Sequence, residues 1–138
     1  MSTIFDLFNN EIVAYQISDR NDMQLVLDTV KKAKSSREVK ETLLHSDQGF
    51  QYTSRTFTNQ LEEFNMRPSM SRKGNCWDNA CMESFFGHLK AECIYLNSFH
   101  TESELKQAID QYIYFYNNER FQKKLGNVSP VEYRTNVA

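Results

Sequence analysis

Apolar residues occur along the chain in short runs whose spacing shifts between alternation and intervals of three and four, so the pattern itself sorts the elements. The first two runs are Ile4-Phe5-Asp6-Leu7-Phe8 and Ile12-Val13-Ala14-Tyr15-Gln16-Ile17, separated by Asn9-Asn10-Glu11. Asparagine tolerates positive φ, which predicts two strands joined as a tight β-hairpin. From Asp22 to Ala33, Met23, Val26, Leu27 and Val30 share one side of an amphipathic helix that Asp19 or Asn21 caps and Ser35-Ser36 ends. The run Thr42-Leu43-Leu44-His45-Ser46 predicts a buried strand stopping at Asp47-Gln48-Gly49. A second helix is expected over residues 54–64 with Phe57, Leu61 and Phe64 inward, then a strand over 66–70. Residues 71–78 lack any period and read as a loop, followed by helices over about 79–93 and 102–116. Strands at the front followed by alternating helix and strand indicate an α/β sheet covered by helices.

Composition narrows this picture. A length of 138 residues suits one domain, which we divide into a core over 1–116 and a basic carboxy-terminal tail over 117–138. No apolar run approaches the roughly 18–20 residues that span a bilayer, and the start has no signal-peptide pattern, so a cytoplasmic location is expected and no membrane partner. Cys76, Cys81 and Cys93 lack the spacing of a disulfide framework. A formal charge of −2 excludes a protein that coats nucleic acid by bulk charge, so contact with phosphate must be local. Residues 67–138 hold 9 Lys/Arg and 8 Asp/Glu against 7 and 10 in residues 1–66, which makes the second half the better place to look.

The candidate chemistry is carried by acids. Asp47 follows a strand where α/β sheets commonly present reactive groups, although an aspartate there also serves as an ordinary turn or cap residue. Glu83 lies one turn into a helix among Ala80, Met82, Phe85, Phe86 and Leu89, as a ligand or as a solvated-face residue. Thirty-five residues separate the two acids, and Lys90 follows Glu83 by seven, two helical turns on along the same face. Two hard carboxylates suit Mg²⁺ or Mn²⁺, whose charge assists displacement at a phosphodiester, with a lysine to hold the DNA.

His45-Ser46-Asp47-Gln48-Gly49, the 35-residue gap, Ser71-Arg72-Lys73-Gly74-Asn75-Cys76-Trp77-Asp78-Asn79-Ala80, Glu83-Ser84-Phe85-Phe86 and Lys90 together resemble the catalytic core of insertion-sequence transposases. More narrowly they resemble the insertion sequence three family, whose core is similar to retroviral integrase. The hairpin Asp6 to Ala14, Tyr116-Asn117-Asn118-Glu119-Arg120, Leu125-Gly126, Pro130 and Tyr133 extend the resemblance over nearly the whole chain. It implies a ribonuclease H-like mixed sheet flanked by helices and a metal-binding triad of two aspartates and a glutamate. Asp47 would be the second acid and Glu83 the third. Lys90 would contact the element's terminal DNA. Arg72, Lys73 and Asn79 lie in the matching active-site loop and its exit, and would approach the transferred strand. Arg120, Lys123 and Lys124 would lie along target DNA, or form a solvated basic face. The implied activity is metal-dependent cleavage and strand transfer on element ends and target DNA, by a bacterial, nucleoid-associated homo-oligomer.

One departure is at the front. The family's first acid sits on a strand preceding Asp6-Leu7-Phe8, so the expectation is a core lacking its first, central strand, impaired alone; Asp6 matches a different position. The alternative reading is a catalytically dead remnant that binds DNA or a partner. Cys76, Cys81, His88 and Cys93 have zinc-ligand types at spacings that do not suit zinc. His45 reads as a hydrogen-bonded or near-metal side chain, and Trp77 as a stacking residue or a loop anchor.

Overall fold

Asn10 sits at φ 59° in the first turn, so the asparagine pair reverses the chain by using the backbone region that asparagine enters most easily. In the computed structural model, which describes residues 1–46, 49–70 and 80–137, this turn joins β1 (Ser2–Asp6) to β2 (Glu11–Gln16). Then follow α1 (Met23–Ser36), β3 (Leu43–Ser46), α2 (Arg55–Glu63), β4 (Arg67–Met70) and α3 (Ala80–Leu89). A π-helical turn (Lys90–Ile94), α4 (Glu102–Asn118), a 3₁₀ turn (Lys123–Leu125) and α5 (Pro130–Val137) complete the order. Among the described residues the strands pair two by two, β1 with β2 and β3 with β4. The chain divides into two compact units, one of residues 1–4 and 13–80, the other of residues 5–12 and 81–138.

In the first unit β3 and β4 run parallel, with Leu43 opposite Arg67 and Ser46 opposite Met70, joined through α2. Val26 and Val30 of α1, Phe57 and Leu61 of α2, Val39 and Met66 form its core, with Leu44 and Tyr52 packed on it. Two local expectations are corrected here. The cap of α1 is Asp22, whose carboxylate accepts the Leu25 N–H at 3.1 Å, and not Asp19 or Asn21. Ser35 and Ser36 end α1 as expected, forming its last turn with their hydroxyls donating to the Lys31 and Ala33 carbonyls. The strand read as buried is half-exposed: Leu44 faces the core while Leu43 and His45 point away from it, the alternation that a strand shows when one face is packed. The helix at residues 54–64 forms as expected, Ser54 capping α2 through the Phe57 N–H. Asn65 closes it at φ 56° while the Met66 N–H reaches back to the Leu61 carbonyl, a C-terminal closure with asparagine where glycine is commoner.

In the second unit Phe85 is fully buried at the centre of an aromatic cluster. Its ring centroid lies 5.1 Å from Tyr116, 5.3 Å from Phe86 and 6.3 Å from Phe5. Ile109, Tyr112, Ile113 and Tyr116 give α4 its buried stripe, at the three-and-four spacing of one helix face. The tail is ordered: Leu125 is buried under the 3₁₀ turn, Gly126 takes φ 75° to end it, and Pro130 opens α5.

Candidate active site

Helix α3 is anchored by one face and presents the other. Phe85 and Leu89 are buried along it, and Cys93 continues the stripe through the π-helical turn. The opposite face carries Glu83, Ser84, Gly87 and Lys90, all exposed. Glu83 stands in the first turn, where the helix dipole favours a carboxylate. Seven residues bring Lys90 back to within about 20° of Glu83 around the axis. The same-face relation read from the spacing therefore holds, because the regular helix persists to Leu89 and the wider turn begins only at Lys90. Among the described residues no hydrogen bond or ion pair engages the Glu83 carboxylate or the Lys90 ammonium.

The other residues expected at the site divide between those outside the described residues and those held elsewhere. Asp47, Arg72, Lys73 and Asn79 lie outside the described residues, as do Cys76 and Trp77. His45 pairs across the sheet, its Nδ1 2.9 Å from the Ser69 hydroxyl. Cys93 is buried with its thiol against the Ala108 carbonyl, whereas His88 lies on the flank of α3 between Ser84 and Glu92, so the two do not face one ion. Among the described residues no group of three or more His, Cys, Asp or Glu is placed to hold a metal. Glu83 offers an unengaged hard oxygen donor of the kind that Mg²⁺ or Mn²⁺ takes.

Of the basic residues, Arg120 is committed within its unit. Its guanidinium grips Glu92 through Nε at 2.9 Å and Nη2 at 2.7 Å. Tyr112 donates its hydroxyl to the same carboxylate at 2.9 Å, and Arg120 also lies over the Tyr116 ring. The hydrogen bond from Arg120 is the main reason the Glu92 carboxyl is held below its ordinary pKa, and burial followed by Glu92 itself pushes the Tyr112 phenol up. Arg134 is likewise engaged, donating from Nε to Glu11 at 2.9 Å, while the fully buried Asn9 donates to Glu11 at 2.8 Å and to the Pro130 carbonyl at 3.0 Å. Lys123 and Lys124 remain exposed on the 3₁₀ turn.

Sequence reasoning passed over Glu92 and gave Asn117 no structural role of its own. Asn117 accepts the Ile12 N–H at 2.9 Å and donates to the Ile12 carbonyl at 3.0 Å, pairing with β2 as a neighbouring strand would. A signal existed: Asn117 follows Ile113 by four and so falls on the buried stripe of α4, where a polar residue requires a partner. Glu92 had only the local signal of His88 four residues before it, because its main partner, Arg120, lies 28 residues away.

The Glu92 cluster makes a prediction about pH. Glu92 titrates lower in the folded chain than in the unfolded one, so its contribution is complete above the unfolded carboxyl pKa of about 4.3 and is lost as pH falls through the folded value. Glu92→Gln is expected to cost about 1 kcal/mol at pH 7, a modest figure because the pair is partly solvated. The gap between the variant and the parent in urea midpoint should close on acidification from pH 6 to pH 3; a gap independent of pH would refute the assignment.

A family model described as integrase core domain matches residues 1–76, and a second of the same description matches residues 83–137. The chain is 47% identical over 135 residues to InsK, a transposase for insertion sequence element IS150 of Escherichia coli K12, covering 97% of this chain and 48% of InsK. It is 35% identical over 135 residues to the transposase InsF for insertion sequence IS3A of the same organism, covering 96% of this chain and 47% of InsF. The chain thus spans about half the length of these relatives. Its backbone matches the catalytic core domain of BIV integrase with a TM-score of 0.68 at 18% identity, over 88% of this chain and 76% of that one. The fold is the ribonuclease H-like α/β fold of such cores, and the chain belongs to the integrase core domain family.

Proposed function

We propose that this chain carries the DNA-cutting and DNA-joining chemistry of an insertion-sequence transposase. The observation that carries this reading is the exposed face of α3, where Glu83 and Lys90 stand about 10.5 Å apart along the axis, each unengaged among the described residues, in a member of the integrase core family. A carboxylate for metal and an ammonium for phosphate on one anchored helix suit phosphodiester displacement.

The residues we assign to hold Mg²⁺ or Mn²⁺ are Asp47 and Glu83. When bound, the ion supplies positive charge that offsets the charge building on the phosphate oxygens. Lys90 holds the terminal strand by its backbone; Arg72, Lys73 and Asn79 approach the scissile end, and Lys123 and Lys124 follow target DNA. Arg120 acts through the Glu92 clamp, fixing α4 against the turn that follows α3. In the first reaction a water oxygen bonds to phosphorus as the bond to the flanking strand breaks, freeing a 3′ hydroxyl. In the second that hydroxyl attacks a target phosphodiester, so one P–O bond forms as another is lost and no covalent enzyme intermediate is needed. Joining two element ends in one event calls for two active sites, hence at least two copies of the chain. No helix among the described residues is long and apolar enough to cross a membrane, and the substrate places the protein with the bacterial nucleoid.

The test is a strand-transfer assay with the purified chain, Mg²⁺ or Mn²⁺, and the inverted repeats that flank its own coding sequence. Metal-dependent joined product that vanishes in Asp47→Asn and in Glu83→Gln is the expected result. DNA binding with no joined product under either metal would overturn the catalytic reading in favour of a binding module.

A further inference from the structure

Gly87 has no structural task within its own unit. It occupies the middle of α3, where glycine is less favourable than alanine, and its backbone is helical, so no positive φ calls for it. A Cβ built on it meets nothing within 4 Å, so no neighbouring atom of the described chain excludes a side chain either. Around the helix it lies about 40° from Glu83 and about 60° from Lys90, at one edge of the strip that joins them, with Phe86 at the other edge. The flanks of that strip are built up. On one side His88 is tied to the Ser84 hydroxyl at 3.4 Å and to Glu92 at 3.5 Å, and on the other Phe86 is half-buried against Phe85.

We propose that Gly87 is a positioning residue: it leaves a notch in the exposed face of α3 through which the backbone of the DNA strand gripped by Lys90 lies directly against the helix on its way to Glu83. The inference rests on the reading of α3 as the DNA-facing helix and adds a determinant to it. The separation of Glu83 from Lys90 along the axis is about 10.5 Å, short enough for one stretch of strand backbone to reach both. A strand running from lysine to carboxylate therefore passes beside position 87, on the side of the strip away from Phe86, where no side chain stands in its way. Glycine is the side chain that lets a backbone approach most closely, and any larger residue there lifts the strand away from the metal-binding acid.

Gly87→Ala, Gly87→Leu and Lys90→Ala are compared with the parent by fluorescence anisotropy on a labelled duplex ending in the element's inverted repeat, with thermal unfolding in parallel. Lys90→Ala should weaken binding about tenfold by removing one phosphate contact. Gly87→Ala should weaken it about threefold and Gly87→Leu tenfold or more, while both raise Tm by about 2–5 °C through better helix propensity. Loss of affinity against a gain in stability is the combination that a merely structural glycine cannot give. If Lys90→Ala weakens binding and both Gly87 variants bind like the parent, the notch is refuted and the DNA-facing helix stands. If all three bind like the parent, that face does not carry DNA and the inference falls with it.

Discussion

Replacing Phe85 by alanine is expected to lower the stability of the chain by about 3–5 kcal/mol, the range seen for deleting a fully buried aromatic ring. The ring has no exposed surface and contacts Phe5, Phe86 and Tyr116, so its removal leaves a cavity bounded by three rings from three different elements. Rings of that size cannot close the space without leaving their rotamers, which is why the cavity persists and the cost exceeds simple transfer. The effect should extend to the proposed site, because Phe85 anchors the helix that presents Glu83 two residues earlier and Lys90 five residues later. Urea unfolding followed by circular dichroism measures the loss, and Phe85→Leu should recover most of it. A loss below about 1 kcal/mol for the alanine variant would show that the cluster is not the support described.

A comparable result is expected for Asn117→Leu, at about 2–4 kcal/mol. The substitution keeps the branching and number of heavy atoms of asparagine and deletes both hydrogen bonds to Ile12, whose side chain is buried. The cost is dominated by the two backbone groups left behind, each carrying about 1–3 kcal/mol of unrecovered desolvation when unpaired. Asn117→Asp separates the two halves of the clamp, since the carboxylate still accepts the Ile12 N–H but offers nothing to the Ile12 carbonyl. It should lose about half as much at neutral pH. Equal stability of the leucine variant and the parent would mean that water replaces the amide at Ile12 without penalty, against the clamp proposed here.

These two positions show how the sequence and the structure divide the information. The period of the apolar residues placed most helices and strands to within a few residues: α2, β4 and α4 were all legible, because each depends on neighbours two to four residues away. Misreadings fell where two local partners compete. Asp22 caps α1 instead of Asp19 or Asn21, and β3 is open on one side where an apolar run suggested burial on both. Asn117, Glu92 and Arg120 belong to another class, since the hydrogen bonds that join them to Ile12, Tyr112 and each other span 20 to 105 residues and no local pattern encodes such a pairing.

What the sequence by itself determined is the chemistry on offer: an acid at 47, an acid at 83 and a lysine two turns on, in the spacing of a known class of core. Helical geometry over seven residues then fixes that Glu83 and Lys90 share a face, a relation that needs no tertiary information. Only the tertiary structure decided which of the two opposing faces of α3 is buried, through the aromatic cluster around Phe85. It also decided which cations are spent, since Arg120 and Arg134 are drawn to Glu92 and Glu11 while Lys90, Lys123 and Lys124 stay exposed. The physical reason is that a charge has the same identity anywhere in a chain, but its role depends on whether folding delivers an opposite charge within hydrogen-bond reach.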